Sequence, residues 1–359
     1  MKKIAFFSKN LEIGGMEKSL VVLLNELSKK YIVYLYLEEK KGVLLDYINN
    51  NIIVKEYRIS NCNYIVVRKF YNYFKRFFWK IFRRNFFDFS CSFATYSIPC
   101  SKLSLIASRN NCLYVHSDYY NYYEKNINKM KNFFDSINVS KFKSVIFVSN
   151  ESRYNFCKVY TNVNTTVISN LVDYANIIKL SQEKVDLKFE PNKINILYVG
   201  RLDNSSKNFQ FLLEAFKKAN NKSLMLYIIG NGPYKSNIKT YINDNHLNEN
   251  IKLLGEMVNP YPYIKNTDYL ILTSKYEGYP VIYNEALVLN KQFITTISVS
   301  DHEIDVANFF IIIKTKDELI SLFKNLDKCS INYKIDFEIV NKNRINRLID
   351  IIEERQKND

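Results

Sequence analysis

Ser274 to Leu287 reads SKYEGYPVIYNEAL and follows directly on the apolar run DYLILT. The stretch sets Glu277 and Glu285 eight positions apart around Gly278 and Pro280. A short buried strand, a glycine–proline turn and a helix is half of a parallel βαβ unit. Pro280 suits a first-turn position, where its absent N–H is not missed. The two acids then have two readings. Either they are a surface acid and an acid near a helix N-terminus, or they are a hydroxyl-gripping pair at a sheet rim.

Outward from this stretch the same alternation recurs. Towards the N-terminus come INILYVG, a helix NFQFLLEAFKKA, LMLYIIG, a helix PYKSNIKTYIND and NIKLLG; towards the C-terminus come QFITTIS, NFFIIIK and a helix KDELISLFKNL. The first half holds strand candidates KIAFFS, YIVYLYL, IIVKEY, FDFSCSF, CLYVHS and SVIFVS. A helix is expected over Met16–Lys30, and another in NESRYNFCKVY with Asn150 as its N-cap. The predicted class is α/β, with two doubly wound, Rossmann-like parallel-sheet domains facing a central cleft. The predicted division is 1–173, a polar link over 174–192, a second domain over 193–340, and a C-terminal helix over 341–359 that packs back on the first domain.

Bulk composition narrows the class. The 359 residues are 47% hydrophobic and 24% charged, as in a globular protein. No run approaches the roughly 18 apolar residues of a membrane span, and MKKIAFFSKN is too short in its apolar run for a signal peptide. The six cysteines show no zinc-like spacing, so reduced cytosolic thiols are expected. Residues 1–173 hold 26 Lys+Arg against 13 Asp+Glu, a net +13, whereas the remainder nets +2. A basic first half points to an anionic partner: nucleic acid, an anionic lipid surface or a phosphorylated substrate.

Glycine turns mark where strand ends can meet a ligand. Gly14 and Gly15 lie between the first strand and its helix, where backbone N–H groups can approach a diphosphate. In YVGRLDNSSKN, Gly200 ends a strand, with Arg201 next and Lys207 six residues on. In open α/β sheets ligands sit at carboxyl ends of strands, so two cations there can neutralise a nucleotide diphosphate. The bland alternative is a pair of solvated loop charges. The next strand also ends in a glycine turn, IIGNGP, with Gly232 in it. A carboxylate accepts two hydrogen bonds and matches vicinal hydroxyls. One acid per sugar, with the diphosphate between them and the N–H groups of Gly278 to Val281 facing it, accounts for the opening spacing.

EGYPVIYNEAL resembles the E-x7-E signature of retaining glycosyltransferases of family 4, which have the GT-B fold. GGMEKS, VGRL…KN, IIGNGP, VSNES and VISNLVD resemble further motifs of that family, in its order, over about residues 12 to 290. The resemblance implies that Gly15 offers its N–H to the donor diphosphate and that Arg201 and Lys207 stabilise the leaving group. It implies donor contacts from Gly200, Gly232, Gly278, Tyr279, Pro280 and Val281. Glu285 would hold the ribose and Glu277 the donor sugar, with His116, in YVHSD, beside that sugar. The family has Asn-Gly where this chain has Asn170-Leu171, and glycines that TTISVSDHEI lacks. No cofactor or metal is implied; the nucleotide sugar is the substrate.

Val67 to Phe87, VRKFYNYFKRFFWKIFRRNFF, carries Arg68, Lys69, Lys75, Arg76, Lys80, Arg83 and Arg84 without an acid. At 100° per residue Phe70, Tyr73, Phe74, Phe77, Phe78 and Ile81 share one face, with most cations opposite. Such a helix suits an anionic membrane surface. The alternative packs the aromatic face into the core, but Trp79 on the basic side is expected to gain little there. The expected function is sugar transfer to a lipid-linked or glycan acceptor at the inner face of the cell membrane, for cell-surface polysaccharide. Rivals are a soluble acceptor, a non-catalytic sugar-nucleotide binder, and a nucleic-acid-binding protein; a nucleic-acid partner leaves the second-half motifs unexplained.

Overall fold

The computed structural model describes residues 1–57, 63–185, 187, 189–297, 303–304, 309–328 and 334–354. They form two compact units, Met1–Leu171 with Glu338–Asp359, and Val172–Phe337. The stretch 174–192 is counted with the second unit.

The first unit is built on β1 (Lys3–Ser8), β2 (Ile32–Leu37), β3 (Ile53–Glu56), β4 (Phe89–Ser92), β5 (Asn111–Val115), β6 (Ser144–Phe147) and β7 (Thr165–Val167). They lie in the order β3-β2-β1-β4-β5-β6-β7, and every pairing is parallel. Parallel strands covered on both faces read as continuous apolar runs rather than alternating ones, which is why KIAFFS and SVIFVS stand out in the sequence. The helices are α1 (Gly15–Leu27), α2 (Ile65–Arg83), α3 (Ile98–Ala107), α4 (Tyr119–Tyr122), α5 (Ile127–Ser136) and α6 (Asn150–Cys157). The cap of α6 differs by one residue from expectation. Ser149, extended and accepting from the Ser152 N–H, is the N-cap, and Asn150 is already helical.

The second unit holds α7 (Tyr174–Leu180), β8 (Ile194–Val199), α8 (Asn204–Lys207), α9 (Phe209–Ala219), β9 (Leu224–Ile229), α10 (Lys235–Asp244), β10 (Ile251–Gly255), α11 (Tyr261–Asn266), β11 (Tyr269–Leu272), α12 (Val281–Val288), β12 (Gln292–Thr295), β13 (Phe310–Ile312) and α13 (Lys316–Lys324). Its parallel sheet runs β10-β9-β8-β11-β12-β13. Pro280 caps α12 in an extended conformation instead of occupying its first turn. Part of TTISVSDHEI falls outside the described residues.

Strand order reverses between β1 and β4 in one sheet and between β8 and β11 in the other. At such a point neighbouring connections leave in opposite directions and open a crevice at the carboxyl ends of the strands. Both switch points carry the glycine or charged loops singled out above.

The last helix, α14 (Phe337–Glu353), belongs to the first unit from Glu338 onward. Arg344 on it is fully buried and donates to the Asn170 carbonyl at 2.5 Å. Asn110 donates to the Ile351 and Ile352 carbonyls at 3.1 Å, and Glu353 accepts from Tyr31 and pairs with Lys2.

The helix α2 docks the other way round from the core-packing alternative. Its aromatic face stays in solvent, from 41% exposed at Phe74 to 65% at Phe70. Trp79, expected outside the core, is its buried anchor and stands edge-on to Tyr36, Tyr57 and Phe7 at 4.9, 5.5 and 5.9 Å. The cations beside it are not merely solvated. Lys75 sits over the Tyr57 ring at 4.9 Å and Arg83 over Phe86 at 4.6 Å, which lets a basic face lie on an aromatic floor. Burial pushes the Tyr57 hydroxyl up to about 12 against the opposing pull of Arg76. Arg68 is exposed, and the side chain of Lys69 is outside the described ones.

Candidate active site

The loop after β8 runs from Gly200 into the single turn α8. Asp203 caps that turn, accepting from the Ser205 N–H at 2.9 Å and from the Ser205 and Ser206 hydroxyls at 2.7 and 2.8 Å. Arg201 reaches back to the same carboxylate at 2.7 Å, with 68% of its side chain exposed. Burial works to raise the Asp203 carboxyl, but the two hydroxyls, the N–H and Arg201 outweigh it and hold it at about 2. Asp203 therefore stays an anion that aims Arg201, leaving most of the guanidinium turned to solvent.

Lys207 ends α8, and its ammonium pairs with the Glu277 carboxylate, which also accepts from the Ser274 hydroxyl at 2.8 Å. More than four-fifths of both charged side chains is out of water. The β11–α12 loop that supplies Glu277 is sewn to α8 by Thr273, donating to the Lys207 carbonyl at 3.1 Å, and by the Lys275 N–H on the Ser206 carbonyl at 2.8 Å. Arg201, Lys207 and Glu277 thus form one connected assembly at the β8/β11 switch point. Glu285, in the helix that this loop opens, is buried and accepts from the Tyr261 hydroxyl at 3.2 Å. Tyr279 is buried, its hydroxyl donating to Asn284 at 3.1 Å, while Gly278, Pro280 and Val281 are half-buried around the helix start.

The floor of this assembly requires glycine. Gly230 has a φ of +147°, and a Cβ on it would lie 1.9 Å from the Gly200 carbonyl oxygen. At Gly232 a Cβ would stand 2.4 Å from the Leu202 carbonyl oxygen, the acceptor of the Tyr234 N–H at 2.9 Å. The loops after β8 and β9 cross at a spacing that no side chain permits.

The first unit places Gly15 at the start of α1, with Gly14 extended as its N-cap. The carboxylate of Glu17 folds over Gly14, so a Cβ there would meet Glu17 Oε2 at 2.1 Å. His116 follows β5 and is sandwiched between Phe93 and Tyr114, with ring centroids 4.2 and 4.8 Å away. Both of its ring nitrogens are shielded from water without a hydrogen-bond partner among the described residues. Burial lowers its pKa to about 3, so the imidazole is neutral at physiological pH. Between about pH 6.5 and pH 3 the unfolded chain binds a proton that the folded chain refuses, and stability falls as pH drops through that window. Urea titrations at pH 7 and pH 4.5 are expected to show a loss of about 2 kcal/mol that His116→Asn lacks. Equal losses in both proteins would refute a neutral, shielded His116.

Sequence reasoning missed Asp203, Ser274, Tyr261 and Asp118. Asp203 was readable, since an Asp in a polar turn between a strand and a helix is a helix-cap signal. Asp118 likewise caps α4 and gathers Asn121 at 2.6 Å and Asn155 at 3.0 Å. Tyr261 lies 24 residues from Glu285 and meets it only through the fold.

Residues 181–319 match the family described as Glycosyl transferases group 1. The match lies within the second unit. Two curated relatives are similar over a comparable length. The capsular polysaccharide biosynthesis glycosyltransferase CapH of Staphylococcus aureus is 30% identical over 143 residues, 38% of this chain and 38% of its own length. A Campylobacter jejuni N-acetylgalactosamine-N,N'-diacetylbacillosaminyl-diphospho-undecaprenol 4-alpha-N-acetylgalactosaminyltransferase is 31% identical over 144 residues, 40% of this chain and 37% of its own. The matched region therefore spans well under half of these relatives. Anabaena HepE, solved in complex with UDP and glucose, superposes with a TM-score of 0.70 at 15% identity, covering 97% of this chain and all of that one. The architecture is GT-B, as in HepE and in WaaG.

Proposed function

We propose that the protein is a retaining, family 4 type glycosyltransferase that moves a sugar from a nucleotide-diphosphate donor to a lipid-linked glycan or glycolipid in cell-surface polysaccharide assembly. The observation that carries this is the pairing of Lys207 with Glu277 at the β8/β11 switch point, beside Arg201, within the residues that match group 1. The names of the Staphylococcus and Campylobacter relatives support the pathway and acceptor, and HepE supports UDP as the first nucleotide to try.

In this reading the donor diphosphate takes Lys207 from Glu277, and Arg201 meets the same oxygens. The freed Glu277 carboxylate accepts from a hydroxyl of the sugar, and Glu285 from the ribose. Two cations then offset the charge that grows on the leaving diphosphate, without a metal. The bond from the anomeric carbon to the β-phosphate oxygen breaks, and the acceptor oxygen bonds to that carbon on the same face. The acceptor's proton passes to the leaving phosphate. The resemblance gives His116, uncharged, the role of a neutral hydrogen-bonding group beside the donor sugar.

The test is a panel of UDP-, GDP- and ADP-sugars scored for thermal stabilisation, then for release of nucleoside diphosphate with an undecaprenyl-diphosphate glycan, with and without chelator. One donor is expected to raise the melting temperature and to be turned over equally with chelator present. No stabilisation by any donor sinks the reading.

The same protein is proposed to work as a peripheral protein on the inner leaflet. No helix among the described residues is long and apolar enough to cross a membrane. The exposed aromatic face of α2, flanked by cations, supports docking on an anionic surface.

A further inference from the structure

We propose that a cavity at the C-terminal end of α2 binds the phosphate of an anionic phospholipid headgroup. The cavity measures about 400 Å³ and is lined by Lys80, Arg84, Asn85, Ser108, Arg109 and Asn111, with Leu105 and Ile106 as its apolar wall. No acid lines it.

The lining divides into fixed and available groups. Ser108 donates to the Asp88 carbonyl at 3.2 Å and accepts from the Asn110 N–H at 3.1 Å. Asn111 donates to the Ser108 carbonyl at 2.9 Å and accepts from the Lys143 N–H at 3.1 Å. Those two shape the floor. Lys80, Arg84 and Arg109 are exposed, and none forms an ion pair among the described residues. They differ in this from Lys75 and Arg83, which lie over aromatic rings on the face turned to the unit. Three cations around one concavity, two of them guanidinium forks, are the donor set of a phosphate site.

Position selects the source of that phosphate. On the helical wheel Lys80 and Arg84 border the exposed face that carries Tyr73, Phe77 and Ile81. A helix lying in the interface with that face buried among acyl chains brings its flanking cations to headgroup level. The site is not part of the sugar-transfer centre. Arg109 precedes β5 and His116 follows it, so the cavity and the histidine lie at opposite ends of a strand about 17 Å long.

The inference rests on the docking proposed above, and the experiment separates the two. Flotation is measured at physiological salt with phosphatidylcholine vesicles, with and without phosphatidylglycerol. The proteins are wild type, K80Q/R84Q/R109Q, the charge-matched control K125Q/K129Q/K141Q, and an aromatic-face variant F70S/F74S/F78S. The cavity variant is expected to lose at least tenfold in affinity for anionic vesicles, the control under threefold, and the aromatic variant to leave both vesicle types. Equal losses in the cavity variant and the control overturn the headgroup site and leave docking intact. Failure of the wild type to float removes docking. In that event dihexanoyl phosphatidylglycerol below its micelle concentration still reads the cavity, by thermal shift against inorganic phosphate. Stabilisation by the short lipid that K80Q/R84Q/R109Q abolishes supports the site; equal stabilisation by inorganic phosphate overturns the lipid as its ligand.

Discussion

Lys207→Ala lowers kcat by about 10²–10³, the usual cost of losing one donor to a developing anion. The same substitution leaves Glu277 largely out of water with only the Ser274 hydroxyl as a partner among the described residues, so the apoprotein also loses about 1–3 kcal/mol. These effects can be pulled apart. In K207A/E277Q the orphaned charge is gone, so the melting temperature returns towards wild type while kcat stays low. A double variant that recovers its rate along with its stability shows that Lys207 is structural. Arg201→Ala is expected to cost activity with little change in melting, because its side chain is mostly in solvent and its partner Asp203 keeps both serines.

Trp79→Ala destabilises the first unit by about 3–5 kcal/mol, in the range for deleting a large aromatic from a core. The indole touches three rings and is the main buried side chain of α2. Its Nε1 is buried without a hydrogen-bond partner among the described residues. Trp79→Phe keeps most of the apolar contact and removes that unsatisfied donor, so its cost is expected to stay near 1 kcal/mol. Denaturant midpoints by far-UV circular dichroism check both. A Trp79→Ala cost below 1 kcal/mol means that α2 is held by something else.

The contrast around α2 shows what could be read in advance. The amphipathic period was legible, and so was the outward aromatic face. Which face meets the unit was not, because periodicity ranks Trp79 with its basic neighbours and does not see the rings that await it. The parallel strands were legible for the opposite reason: burial on both faces leaves unbroken apolar runs. Helix α3 had no such signal. Its inward positions include Ser101 and Ser104, which the fold satisfies through the Ile137 carbonyl and Ser90, so polar residues sit where a stripe would be sought. The spacing of Arg201, Lys207 and Glu277 pointed to one place because their loops leave adjacent strands. Glu285's partner and the cap at Asp203 depended on contacts or signals that spacing alone did not weigh.

The return of α14 to the first unit makes one portion of this protein split in sequence and the other an uninterrupted run. A recombinant fragment ending at Leu171 lacks Arg344, Leu348 and Ile352, all completely or almost completely buried in the intact chain, and exposes the niche they fill. Val172–Phe337 is one uninterrupted run, and is the piece to produce by itself when nucleotide binding is to be weighed apart from the first unit.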